Sequence, residues 1–213
     1  MPAYRSSAEA EIRVAVVERL REIVPGCRII HEINAESFGN RIDVLAVGIH
    51  HIAAVEIKSA KDKLDRLPAQ IKAMRSVTNS VFAALHEKFL TPVGIDGQYG
   101  VSPPDESRGA IVWAYPRMAR KGHVECQAEW LERDRWAKSK RSLLPDALRL
   151  LWRAELQEIA SCLGVKGIAR MTVEEAADHI RWHMTGQQIA HAICATLRRR
   201  DCIEADPVMA VAA

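Results

Sequence analysis

Three side chains in the stretch RIDVLAVGIHHIAAVEIKSAKDK, residues 41–63, are placed to do chemistry together: Asp43, Glu56 and Lys58. The residues between them are apolar enough for two half-buried strands joined by a short turn. With the turn centred on Ile49 and His50, Gly48 faces His51, Val47 meets Ile52, Leu45 meets Ala54, and Asp43 falls opposite Glu56. Side chains alternate faces along a strand, so Asp43, Glu56 and Lys58 share one face. Opposed Cβ atoms lie about 4.5–5.5 Å apart, a spacing at which like charges repel. A hard divalent cation, Mg2+ or Mn2+, would compensate, because such ions take carboxylate oxygens and keep waters beside a phosphate substrate. A lysine next to it would orient an attacking water and offset charge on a pentacovalent phosphate.

The flanking sequence supplies the elements that must hold these groups. Residues 7–24 carry Ile12, Val16, Leu20 and Ile23 at helical spacing, and Pro25-Gly26 ends the pattern. CRIIHEI predicts a strand, and the two strands of the opening stretch follow it, over about 42–47 and 52–58. A helix starts near Pro68, a residue suited to a first turn. SVFAALH and AIVWAYP predict two more strands, separated by a loop rich in Gly, Pro and Asp. The expected class is α/β: an αβββαβ core with a mixed sheet and one further strand, over residues 1–120. From Glu125 onward strand signals stop, and three helical patterns cover 144–163, 172–184 and 186–200. The chain therefore divides into the core, a connecting segment at 121–144, an all-helical module at 145–200, and a flexible tail at 201–213 with little to bury.

Asp43, followed by Glu56-Ile57-Lys58 at the end of the next apolar strand, resembles the PD-(D/E)xK nuclease superfamily. The element order is similar to that superfamily's restriction-endonuclease-like core. The resemblance implies a metal-dependent DNA nuclease, endonucleolytic in action, in which Asp43, Glu56 and the Ile57 carbonyl hold the metal. Many members place a glutamate on the first helix facing the metal. Glu9, three residues before Ile12 and seven before Val16, lies on the apolar face and takes that role as a further ligand. Gln70 matches a glutamine that RecB-like members carry after the lysine, and would assist Lys58. Met74 stands where those members have a tyrosine, and Arg41-Ile42-Asp43 lacks the proline of the motif. A reading from another class keeps the nuclease fold without turnover, as a DNA-binding accessory protein of a phage or repair complex.

The helical part resembles a SAP- or Rho-N-type helix-extended-helix module, which implies DNA binding. Its acidic TVEEAADH leaves a plain cap on the core as the alternative. Phosphate-contact candidates are Lys61 and Lys63 after the motif, then Lys138, Lys140 and Arg141, and finally Arg198, Arg199 and Arg200. Lys61 and Lys63 also read as a plain solvated run. The five tryptophans, Trp113, Trp130, Trp136, Trp152 and Trp182, are expected in the core or between helices. Across 213 residues the net charge is only +3, so a polyanion partner must rest on local clustering rather than on overall charge. Five scattered cysteines without C-x-x-C spacing exclude a zinc ribbon or disulfide framework and point to a reducing cytoplasm. No apolar run is long enough to span a membrane. The expected partner is DNA, and a homodimer would suit paired cutting.

Overall fold

Apolar alternation and helical stripes produce a three-layer arrangement in the computed structural model, which describes residues 7–34, 41–93, 100–115, 143, 145–164, 167–202 and 204–209. Helix α1 (Ser7–Ile23) leads into an antiparallel meander of β1 (Arg28–Asn34), β2 (Arg41–Val47) and β3 (Ile52–Lys58). Helix α2 (Leu67–Val77) carries the chain over to β4 (Ser80–His86), which runs parallel to β3. A small antiparallel ribbon of β5 (Thr91–Val93) and β6 (Gly100–Ser102) forms within the expected loop region. Strand β7 (Ile111–Tyr115) then pairs parallel to β4. The main sheet is mixed and five-stranded, in the order β1-β2-β3-β4-β7. The α/β class holds.

Each face of the sheet has its own core. On one, Ile12, Val16 and Leu20 of α1 pack on Ile29, Val44, Val55, Phe82 and Trp113. On the other, Leu67, Ile71 and Met74 of α2 share a single core with Leu45, Val47, Ala54 and Leu85 and with C-terminal residues. Leu148, Leu156, Ile180, Ile193 and Leu197 all belong to that second core. A strand covered on both faces is apolar throughout, and β3 is buried at every position, charged residues included. That is the frame holding Glu56 and Lys58.

The helical segment departs from its sequence pattern at one point. The helix expected over 144–163 divides into a 3-10 turn at Pro145–Leu150 and helix α3 (Arg153–Ser161). Trp152 between them is extended, at φ −74 and ψ 158, and its N–H donates to the Glu155 carboxylate at 2.6 Å. That bond satisfies one of the donors that a helix start leaves orphaned. Helices α4 (Val173–His183) and α5 (Gly186–Arg199) begin at Thr172 and Thr185, each closing a capping box with Glu175 or Gln188.

Of the tail that was expected to fray, residues 204–206 lie along β1 instead. His31 N–H donates to the Glu204 carbonyl at 2.8 Å, Asp206 N–H to the Ile29 carbonyl at 2.9 Å, and Ile29 N–H to Asp206 Oδ2 at 3.0 Å. Buried Arg28 adds bonds to the carbonyls of Leu197, Arg200 and Asp206. β1 is one edge of the sheet, and its unmet main-chain groups draw residues 204–206 in. The tryptophans also differ from expectation. Trp113 is buried, whereas Trp152 and Trp182 are 57% and 87% exposed; Trp130 and Trp136 lie outside the described residues. Among the described residues no helix is long and apolar enough to cross a membrane.

Candidate functional site

The register predicted from the turn holds from Val47↔Ile52 through Leu45↔Ala54 to Val44↔Val55. Asp43 and Glu56 would pair next, but the ladder stops there. Asp43 instead accepts a hydrogen bond from the Ile57 N–H through Oδ2 at 2.8 Å. Its carboxylate thus sits at the opening between β2 and β3. Glu56 follows strand alternation to the α2 side, where its Oε1 accepts from Lys58 Nζ at 2.6 Å and from Gln70 Nε2. Lys58 Nζ also donates to Gln70 Oε1 at 2.9 Å. Glu56 is 2% exposed and Lys58 8%.

These groups line one cleft of about 680 Å³, together with Glu9, Arg41, Lys61, Lys63 and Arg66. Sequence reasoning placed Asp43, Glu56, Lys58, Glu9 and Gln70 in one site, and the fold brings all five to this cleft. Gln70 is buried rather than on an exposed helix face. It shares a stripe with Leu67, Ile71 and Met74, which is the signal that marks it in the sequence.

The electrostatics are those of a crowded acid pair. Burial, then the charge of Asp43, pushes Glu56 up to about 8 against the opposing pull of Lys58 and Gln70. Burial also raises Asp43, although the Ile57 N–H and the Arg13 guanidinium work the other way. Glu56 Oε2 is buried without a hydrogen-bond partner. An unsatisfied buried carboxylate oxygen is costly, and an oxygen-seeking cation would relieve it. Asp43, Glu56 and the Ile57 carbonyl are all-oxygen donors, the set that suits Mg2+ or Mn2+.

Glu9 is engaged elsewhere. Its Oε1 accepts from Arg13 Nη2 at 2.6 Å, and the same nitrogen reaches Glu32 at 2.7 Å and lies 4.0 Å from Asp43 Oδ1. Among the described residues no group of three or more His, Cys, Asp or Glu stands close enough to hold a metal by itself. Arg13, which sequence reasoning passed over, is 2% exposed. Burial opposes its charge, but the Glu9 hydrogen bond and the fields of Asp43 and Glu32 outweigh that and hold it cationic.

The phosphate-contact candidates part company. Lys61 and Lys63 are exposed at the rim of the cleft. Residues 59–63 are fixed there by Ser59 N–H on Asp62 Oδ2 at 2.7 Å and by Lys88 Nζ, which donates to the carbonyls of Ala60 and Asp62. Arg199 is exposed, whereas Arg198 turns inward to the carbonyls of Gly26 and Val47. Arg200 is a correction. It is 5% exposed, bonds both oxygens of Glu155 and the Leu150 carbonyl, and stacks 4.4 Å over Trp152. It ties α3 to α5 and is closed to a ligand. Lys138, Lys140 and Arg141 lie outside the described residues.

Residues 3–96 match the family model described as Bacteriophage P4 protein cII. That span takes in α1, the meander, α2 and β4, and so every residue of the cleft named above. No curated protein and no solved structure matches the chain.

Proposed function

We propose that the chain is a divalent-metal-dependent DNA nuclease that hydrolyses phosphodiester bonds. The observation carrying this reading is the meeting of Asp43, Glu56 and Lys58 at one cleft, with Glu56 Oε2 buried and unpaired. The order of helix, three antiparallel strands, helix and parallel strand is the order that the PD-(D/E)xK resemblance implies. Asp43, Glu56 and the Ile57 carbonyl would hold the metal. A bound Mg2+ or Mn2+ would supply charge stabilisation for the phosphorane and an acidified water.

The chain's own groups do the rest. Lys58 Nζ, fixed by Glu56 and Gln70, points a donor at the water or at the phosphate oxygen that gains charge. The water oxygen bonds to phosphorus as one ester P–O bond breaks; the water gives up one proton to solvent, and the leaving oxygen takes one up from solvent. Lys61 and Lys63 draw the backbone phosphates onto the rim. Glu9 acts at one remove, through Arg13, since its Oε1 is already engaged.

The engagement of Glu9, with no group of three or more such ligands close together among the described residues, favours a second reading, a nuclease-fold DNA-binding protein without turnover. Its phage setting would agree with the family match. Incubation with circular and linear DNA, single- and double-stranded, with Mg2+, Mn2+ or EDTA, separates the two. Cleavage that needs the metal and is lost in Asp43→Asn supports the nuclease. DNA retention with no cleavage under any condition overturns it in favour of the binding protein.

A further inference from the structure

Arg13, the buried charge through which Glu9 reaches the cleft, has contacts there well beyond Glu9. It sits on the sheet-facing stripe of α1, between Glu9 and Val16. Three departures from regular structure converge on it. The β1–β2 ladder runs Arg28↔Val47 to His31↔Val44 and resumes at Ile33↔Ile42, skipping Glu32 and Asp43. Glu32 has φ 55, a left-handed backbone that a residue with a Cβ adopts only under constraint. Alternation also changes phase there on both strands: Ile29 and Val44 pack under α1, but Ile33 and Ile42 pack on the opposite face.

Arg13 is bonded to each side of this opening. Its Nη1 donates to the Asp43 carbonyl at 2.6 Å and lies 3.3 Å from His31 Nδ1. Its Nη2 holds Glu9 and Glu32. Meanwhile the Asp43 carboxylate occupies the Ile57 N–H, a donor that an unbroken ladder would give to a main-chain carbonyl.

We infer that Arg13 is a positioning residue for the cation site: by gripping the Asp43 carbonyl and pairing with Glu9 and with Glu32, whose other oxygen Arg41 holds, it keeps β2 open and aims the Asp43 carboxylate into the cleft beside Glu56. The inference rests on Asp43 being a cation ligand, as proposed above. An arginine is required because its planar fork reaches a carbonyl and two carboxylates at once, which a lysine's single ammonium cannot do.

The test compares the full chain with Arg13→Lys, which keeps the charge, and with the double variant Arg13→Gln/Glu32→Gln, which removes one charge of each sign. Two readouts are taken: amide hydrogen exchange at Ile57 relative to other β3 amides, and Ca2+ binding by calorimetry. Both variants are expected to speed exchange at Ile57 selectively, and to weaken Ca2+ about tenfold or more, as for loss of a group that orients a ligand. A wild-type protein that binds no Ca2+ defeats the metal reading and the cation-site role with it; Ile57 exchange that still responds then leaves Arg13 only as the group that holds the Asp43 carboxylate on the Ile57 N–H. Ile57 exchange that stays in step with the rest of β3 in both variants overturns the role of Arg13.

Discussion

The two ends of the β2–β3 hairpin are made of the same strands and differ in almost everything else. At the turn, Gly48 N–H donates to the His51 carbonyl at 2.8 Å, and Ile52 and Asn79 exchange two bonds at 2.8 and 3.0 Å. At the cleft the ladder ends at Val44↔Val55, a left-handed Glu32 lies alongside, and a buried Glu56 carboxylate faces the half-buried carboxylate of Asp43. A left-handed residue of this kind costs about 1–3 kcal/mol and persists only where its surroundings impose it. The turn end anchors the frame, and that anchoring is what lets the cleft end keep groups poised for a ligand.

The coarsest way to break the comparison is to remove the layer behind both ends. Truncation after Arg120 strips Leu148, Leu156, Ile180 and Ile193 from a core they share with Leu45 and Val47. Loss of the cooperative thermal transition by circular dichroism is expected. A folded truncated chain that keeps its DNA affinity and salt dependence would mean the helices are only a cap. Next in size, Lys58→Ala should cut DNA cleavage at least about a hundredfold while Ca2+ and DNA binding persist. Rates like those of the wild type would make Lys58 a mere partner of Glu56.

A smaller effect sharpens the contrast through pH. Glu56 is raised from 4.5 to about 8, so its protonated form favours the folded state. That stability is complete below about pH 4.5 and lost as pH rises through about 8. Glu56→Gln should therefore gain on the wild type as pH increases, by at least about 3 °C in Tm at pH 8. The opposite sign holds at the turn, where burial lowers His51 from 6.5 to about 4. Its contribution is present above pH 6.5 and lost as pH falls towards 4, so His51→Gln should flatten the acid side by about 1–2 °C. Equal pH responses from the two variants would erase the distinction between the ends.

Much of this was legible in advance because it follows from alternation. Gly48 and the apolar runs beside it determine the hairpin register, and the register determines where Glu56 and Lys58 point. Arg13 was missed although it shares a face with Glu9, Ile12 and Val16, because a single arginine in a helix reads as solvated. The break at Asp43 leaves no pattern at all, since it depends on main-chain groups contacting a distant side chain. The same holds for the tail, which docks on β1 chiefly through its backbone. Arg200 is hidden for a different reason: in the run Arg198 to Arg200 nothing in the residue types separates exposed Arg199 from Arg198 and Arg200, which turn inward.

The docking of residues 204–206 has a bearing on synthesis. Ile29 and Asp206 are 177 positions apart, so β1 emerges from the ribosome long before the segment that covers its edge. At about 5–20 residues per second the wait is on the order of 10–35 s. Throughout it a nascent chain offers an open strand edge to its neighbours on the same messenger.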